Sequence, residues 1–230
     1  KIAVCGTLLF AYDFMHFTQT RIATIDTYSV FFIILMYFFM YRFLTTDYEA
    51  RWRKGFLPLF LSGLFFGLGA ASKWTCIYAG AGLAVLYVIH MILRLRAFLR
   101  EKEGVRFIPY FFLTSALAVV FFIIIPAAIY YLSYIPYGLG KDLAMKDMLW
   151  NPEYFKIVWN NQVFMYEYHS TLKATHPYSS KWYEWLLDIR PILYYRDTTM
   201  GDNLKSAIAA FGNPLVWWGG LLAIFAMGWQ

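Results

Sequence analysis

From Phe107 to Tyr134 the chain runs 28 residues without one charged side chain, and no other feature restricts its fold as much. A bilayer core about 30 Å thick is crossed by roughly 20 apolar residues rising 1.5 Å each. Five more apolar stretches accompany it, at about 2–17, 26–44, 56–72, 74–93 and 212–230. All are expected to be helical, because a lone strand or exposed loop in lipid leaves backbone groups unpaired at several kcal/mol each. Composition agrees: 60% of the 230 residues are hydrophobic and 15% charged, against about 45–50% and 25% in soluble domains. The expected class is an all-α polytopic membrane protein. Cys5 and Cys76 are the only cysteines, which excludes a disulfide scaffold. The chain opens at Lys1 without a methionine and stops inside an apolar stretch, so it is read as part of a longer protein.

Short loops rich in Lys and Arg stay on the cytoplasmic side. Segment 42–55 carries Arg42, Arg51, Arg53 and Lys54, and segment 94–106 carries Arg94, Arg96, Arg100, Lys102 and Arg106. The net charge of +6 is therefore read as topology, and no nucleic-acid partner is expected. With both basic loops inside, the residues between them must cross an even number of times. The chain should reverse near Ser72-Lys73-Trp74, which places Arg21, Asp26, Lys73 and the long segment 135–211 together on the external side. In that segment Asn151 and Pro152 open a helix at 152–166, with Phe155, Val158, Trp159 and Val163 forming its apolar face. A second helix, at 181–189, is stopped by Pro191. Both are amphipathic and suit the membrane interface, where Trp and Tyr are favoured.

Charges beside membrane crossings are costly and often functional, so Asp13, Arg21, Asp26 and Lys73 each need a reason. Arg21 and Asp26 could pair with each other, or Arg21 could grip an anion. Lys73 could be an interfacial anchor, or, with Arg21, a phosphate ligand. Asp13 reads first as a structural hydrogen-bonding group. The small residues around Gly63, Gly67 and Gly69 read as close helix packing, with a substrate path as the alternative. The four histidines lack metal-ligand spacing, and the chain carries neither a nucleotide-binding glycine motif nor a serine-hydrolase motif.

Four segments, in order, resemble the protein O-mannosyltransferases. They are Asp13 to Asp26 with its Arg21-x-x-x-x-Asp26 spacing, Gly67-Leu68-Gly69-Ala70-Ala71-Ser72-Lys73-Trp74-Thr75, His176 to Trp185 followed by Arg190-Pro191 and Tyr194-Tyr195, and Gly212-Asn213-Pro214 with Trp217-Trp218. The resemblance implies a transmembrane bundle of the GT-C type. It also implies transfer of mannose from a polyprenyl-phosphate donor to Ser or Thr of proteins crossing the membrane, with the lipid-linked sugar as substrate and no separate cofactor or metal. Arg21, Lys73 and Arg190 would hold the donor phosphate, Asp26 would orient Arg21 instead of acting as base, and Asp13 would be a further orienting group. His176, Tyr178, Trp182 and Glu184 would line the acceptor or sugar pocket. The catalytic carboxylate of the family is expected upstream of Lys1, with Glu184 as the alternative within the chain. Eukaryotic members insert a large β-trefoil domain in this external segment, for which 135–211 leaves no room beside the matched motif, so a bacterial plasma-membrane form with an external active face is implied. A related lipid-carrier glycosyltransferase acting on lipid or cell-wall glycan, a transporter or flippase, and a non-catalytic scaffold remain as alternatives.

Overall fold

The computed structural model describes residues 1–47, 52–101, 104–141, 143, 145–173, 179–197, 199 and 206–229. The chain divides into two compact units, Ile25–Thr171 and a second made of Lys1–Thr24 with Leu172–Gln230.

The first unit is a helix bundle. It contains α3 (Asp26–Leu44), a 3₁₀ turn (Trp52–Gly55), α4 (Phe56–Ser72), α5 (Thr75–Glu101), α6 (Gly104–Val119), a π turn (Val120–Ile124), α7 (Ile125–Ser133), α8 (Ile135–Leu139), a second 3₁₀ turn (Met145–Trp150) and α9 (Pro152–Thr171). Among the described residues, four stretches are long and apolar enough to cross a membrane: Asp26–Leu44, Trp52–Ser72, Thr75–Arg100 and Phe107–Leu139. The apolar helix expected over 74–93 runs on to Glu101, because Arg94, Arg96 and Arg100 are good helix formers. The helix expected over 107–134 is not uniform. Pro126 has no N–H to offer the carbonyl four residues back, and the helix widens into a π turn just before it.

Met36, Met40, Phe43, Leu59, Leu83, Met91 and Tyr110 form the buried centre of this bundle, drawn from α3, α4, α5 and α6. Ser62 is fully buried there and donates to the carbonyl of Met36 at 2.8 Å, so its hydroxyl carries no unmet desolvation cost. Gly63 explains how closely α4 and the π turn approach. A Cβ at this position would stand 2.3 Å from the carbonyl oxygen of Phe121, so only glycine fits. The small-residue patch is therefore helix packing at this position.

Helix α9 is longer than the expected 152–166, and of its expected apolar face only Val158 is buried in the protein. Tyr154 and Val158 are inside, whereas Phe155, Trp159 and Val163 are exposed. The reason lies in the polar tips: the Tyr154 hydroxyl donates to the carbonyl of Tyr131 at 2.6 Å and the Gln162 amide bonds two tyrosines. That inward anchoring leaves the apolar Phe155, Trp159 and Val163 stripe outside, where it suits a membrane interface.

The second unit holds α1 (Ile2–Ala11), α2 (Phe14–Arg21), α10 (Trp182–Leu186), β1 (Ile192–Arg196), β2 (Ala207–Ala210) and α11 (Pro214–Gly228). The single apolar helix expected over 2–17 is broken at Tyr12-Asp13. Asp13 leaves the helical region and caps α2 by accepting from the N–H of His16 at 3.1 Å. The helix expected over 181–189 is only five residues long, because Asp188 takes a left-handed conformation with φ 52° ahead of Pro191. Strands β1 and β2 pair antiparallel, Ile192 opposite Ala210 and Arg196 opposite Ala207, with a shift between Leu193 and Tyr195. This small sheet was not anticipated; Ile192-Leu193-Tyr194-Tyr195 has strand character, but its Ala-rich partner has little. The expected 212–230 segment becomes α11, capped by Asn213, whose side chain accepts from Leu215 N–H at 3.1 Å, with Pro214 at its first position.

Candidate functional site

In the helix bundle, the ends of α3, α4, α5 and α7 remote from the basic loops converge. Helix α4 stops at Ser72 and α5 begins at Thr75, leaving Lys73 in extended backbone with φ −157°. Its ammonium is hydrogen-bonded and ion-paired to the carboxylate of Asp26, in the first turn of α3. The negative charge of Asp26 also suits that helix N-terminus. Both side chains keep a third or more of their surface accessible, 33% for Lys73 and 41% for Asp26. One of the three ammonium donors is taken by Asp26, which leaves two for an incoming anion.

Beside this pair lies a cavity of about 650 Å³, of a size that suits small-ligand sites. Lys73, Trp74, Tyr130, Tyr134, Met165 and His169 are among its lining residues. The wall carries an ordered polar chain. The Trp74 indole N–H donates to the Tyr130 hydroxyl at 3.0 Å, and that hydroxyl donates to Gln162 Oε1 at 2.8 Å. Gln162 Nε2 donates to the Tyr134 hydroxyl at 2.8 Å and to the carbonyl of Val158 at 3.2 Å. Tyr130, Tyr134, Gln162 and His169 escaped the sequence reading. The pairing of Tyr130 with Tyr134 at i and i+4 was available as a signal, but nothing in the sequence shows Gln162 reaching them.

Within the second unit Asp13 is buried, and its carboxylate is fully engaged. Oδ1 accepts from Asn213 N–H at 2.9 Å and from Trp217 Nε1 at 3.0 Å, and Oδ2 caps α2. Gly212 is obligatory here, since a Cβ would fall 2.2 Å from the Trp217 indole nitrogen. Asp188, another residue missed in the sequence, accepts from Gly212 N–H at 3.0 Å, and Trp218 Nε1 donates to the carbonyl of Leu187 at 3.1 Å. The Gly-Asn-Pro and Trp-Trp motif is thus tied to Asp13 on one side and to the segment after α10 on the other.

Arg21 ends α2 with its guanidinium 4.2 Å from the centre of the Phe17 ring, a cation–π contact. Two residues earlier, Gln19 donates to the hydroxyl of Tyr194 on β1. Arg190 Nη1 donates to the carbonyl of Ser179 at 2.6 Å. Glu184 accepts from the backbone N–H of Lys181 at 2.6 Å, so its carboxylate caps the start of α10. Trp182 is largely exposed, and the neighbouring Trp185 donates to Ser180 Oγ at 2.7 Å. His176 and Tyr178 lie outside the described residues. Among the described residues no three His, Cys, Asp or Glu side chains gather as a metal-binding group.

Apolar spanning helices, with a cavity that Lys73 lines among the helix ends remote from the basic loops, define an all-α multi-pass membrane protein. Comparison with known proteins supplies the family. Residues 1–136 match the family described as dolichyl-phosphate-mannose-protein mannosyltransferase, and residues 154–229 match the C-terminal four-transmembrane region of protein O-mannosyltransferase. The chain belongs to the protein O-mannosyltransferase family. Its relatives include proteins named polyprenol-phosphate-mannose–protein mannosyltransferase. That of Mycolicibacterium smegmatis is 26% identical across 99% of this chain and 49% of its own length. The Mycobacterium tuberculosis protein is 22% identical across 99% of this chain and 50% of its own length, and the Corynebacterium glutamicum protein 26% identical across 76% and 37%. The chain thus spans about half the length of the mycobacterial relatives it matches. No solved structure matches it.

Proposed function

We propose that the full protein is a membrane glycosyltransferase that moves mannose from a polyprenyl-phosphate donor to Ser or Thr hydroxyls of proteins crossing a bacterial plasma membrane, with the active face external. The observation that carries this reading is Lys73, held by Asp26 and lining a cavity with Trp74, Tyr130 and Tyr134, in a chain of the mannosyltransferase family. The named relatives supply the donor and acceptor classes.

As the bond between sugar and phosphate oxygen breaks, the polyprenyl phosphate gains negative charge. A fixed ammonium at that oxygen stabilises the transition state more than the ground state. Asp26 keeps the ammonium in place but shares its charge, so Lys73 meets the anion with two directed donors. Arg21 and Arg190 are proposed as further phosphate cations on the strength of their motifs, with Asp13 fixing the helix that bears Arg21. His176, Tyr178, Trp182 and Glu184 keep their proposed place at the acceptor or sugar. The acceptor hydroxyl needs a carboxylate within hydrogen-bond reach; we assign it to a residue preceding Lys1 in the full protein. The reaction needs no cofactor or metal beyond the lipid-linked sugar.

The test is transfer of labelled mannose from polyprenyl phosphate to a Ser/Thr-rich peptide by membranes containing the full protein. Lys73→Met should lower kcat by about 10²–10³, the range for removing one oxyanion-stabilising donor. Label in lipid or glycan in place of peptide would favour the related lipid-carrier enzymes, and unchanged transfer by Lys73→Met would remove the phosphate role.

A further inference from the structure

The hydrogen-bond chain along the cavity wall has a defined direction. An indole N–H can only donate, so the Tyr130 oxygen accepts from Trp74. The carbonyl of Val158 can only accept, so the amide nitrogen of Gln162 faces it and Oε1 faces Tyr130. The Tyr130 proton is therefore committed to Gln162. On the other side Gln162 Nε2 donates to the Tyr134 oxygen, so the Tyr134 proton has to go elsewhere. Among the described residues its acceptor is the Tyr130 oxygen at 3.3 Å, a hydrogen bond longer than the usual 2.5–3.0 Å between hydroxyls and so readily exchanged for a ligand oxygen in the cavity. Tyr134 lines the cavity that Lys73 also lines, whereas Gln162 is not among the lining residues.

We infer that the Tyr134 hydroxyl donates a hydrogen bond to one hydroxyl oxygen of the sugar carried by the lipid-linked donor, with Gln162 as the positioning residue that turns that proton toward the cavity. This deepens, and rests on, the sugar-transfer reading above. The chemistry of the wall fits a hexosyl group. Indole and phenol rings offer apolar faces with polar tips, and one directed donor selects one ring hydroxyl. A site built to bond a hydroxyl discriminates strongly against the analogue lacking it, since its own donor is then left unpaired.

The experiment compares polyprenyl-phosphate mannose with its 2-, 3-, 4- and 6-deoxy forms as donors for the full protein in membranes, reading kcat/KM for each. Wild type should be penalised most by one deoxy position. Tyr134→Phe should lose about 5- to 10-fold on the intact donor, the worth of one neutral hydrogen bond, and show no further penalty at that one position. Gln162→Glu keeps the side-chain size but removes its N–H donors, so both tyrosines would donate to it. It should flatten the same position of the profile although it never touches the sugar. Each profile is a ratio within one preparation, so a lowered folded fraction leaves it unchanged. A profile in both variants identical to wild type overturns the inference, as does a loss that follows the peptide KM and ignores donor deoxygenation. If wild type moves no mannose from the intact donor, the proposed function itself falls and the inference with it; an active wild type with unshifted variants removes only the inference.

Discussion

The carboxylate of Asp13 receives the indole N–H of Trp217 at 3.0 Å, across 204 positions of sequence. The same oxygen takes the N–H of Asn213, and the other oxygen caps α2. One buried carboxylate thus joins the first two helices of its unit to the last. Asp13→Ala should cost about 2–4 kcal/mol, because it leaves buried donors unpaired. Trp217→Phe, which removes one of the three bonds, should cost about 1–2 kcal/mol. Melting temperature of the detergent-solubilised full protein should fall in that order, and equal shifts would show that Asp13 does not work as a hub.

The Lys73–Asp26 pair separates a structural role from a chemical one. Exchanging the charges, with Lys73→Asp and Asp26→Lys together, should restore most of the thermal stability lost in either single change. Mannosyl transfer should stay near the level of the single variants, because the cation then comes from α3 instead of the turn between α4 and α5. Recovery of transfer in the exchanged protein would show that the position of the ammonium is unimportant.

Glycines on different faces should respond oppositely to alanine. Gly63 faces the Phe121 carbonyl at 2.3 Å from a built Cβ, whereas Gly219 in α11 has nothing within 4 Å. Gly63→Ala should destabilise by about 1–3 kcal/mol through overpacking. Gly219→Ala should be neutral, or stabilise by up to about 1 kcal/mol through helix propensity. Thermal melts of the two single variants decide, and a tolerated Gly63→Ala would contradict the close approach.

Burial pushes the Tyr154 phenol above its ordinary value of 10.0, and its hydroxyl donates to the carbonyl of Tyr131. A folded-state pKa raised above the unfolded one contributes stability that is complete below the unfolded value and lost as pH rises through the folded one. Denaturation above pH about 10 should therefore be steeper in wild type than in Tyr154→Phe. At neutral pH Tyr154→Phe should cost about 1 kcal/mol for the lost hydrogen bond. Parallel alkaline profiles for the two proteins would assign the alkaline loss to other groups.

The helical membrane class could be read from uninterrupted apolar length, and the family from four motifs in order. Lys73 and Asp26 stood out because charges near lipid need a reason. Their direct pairing did not, since 47 residues and the packing of α3 against α4 and α5 lie between cause and contact. The inward side of α9 was hidden for a related reason. Periodicity placed Phe155 and Trp159 on the apolar face, but hydrogen-bond partners for Tyr154 and Gln162 on α7 and its neighbours chose the inward side.

The sequence by itself determined that these segments are helices and which family they belong to, because hydrophobic length and local motifs act over a few turns. Only the tertiary structure decided which polar groups meet: Asp26 with Lys73, Asp13 with Trp217, and Gln162 between two tyrosines. Inside a bundle a polar atom must find a partner from whichever helix packs beside it, and that neighbour is set by the fit of side chains across the whole unit.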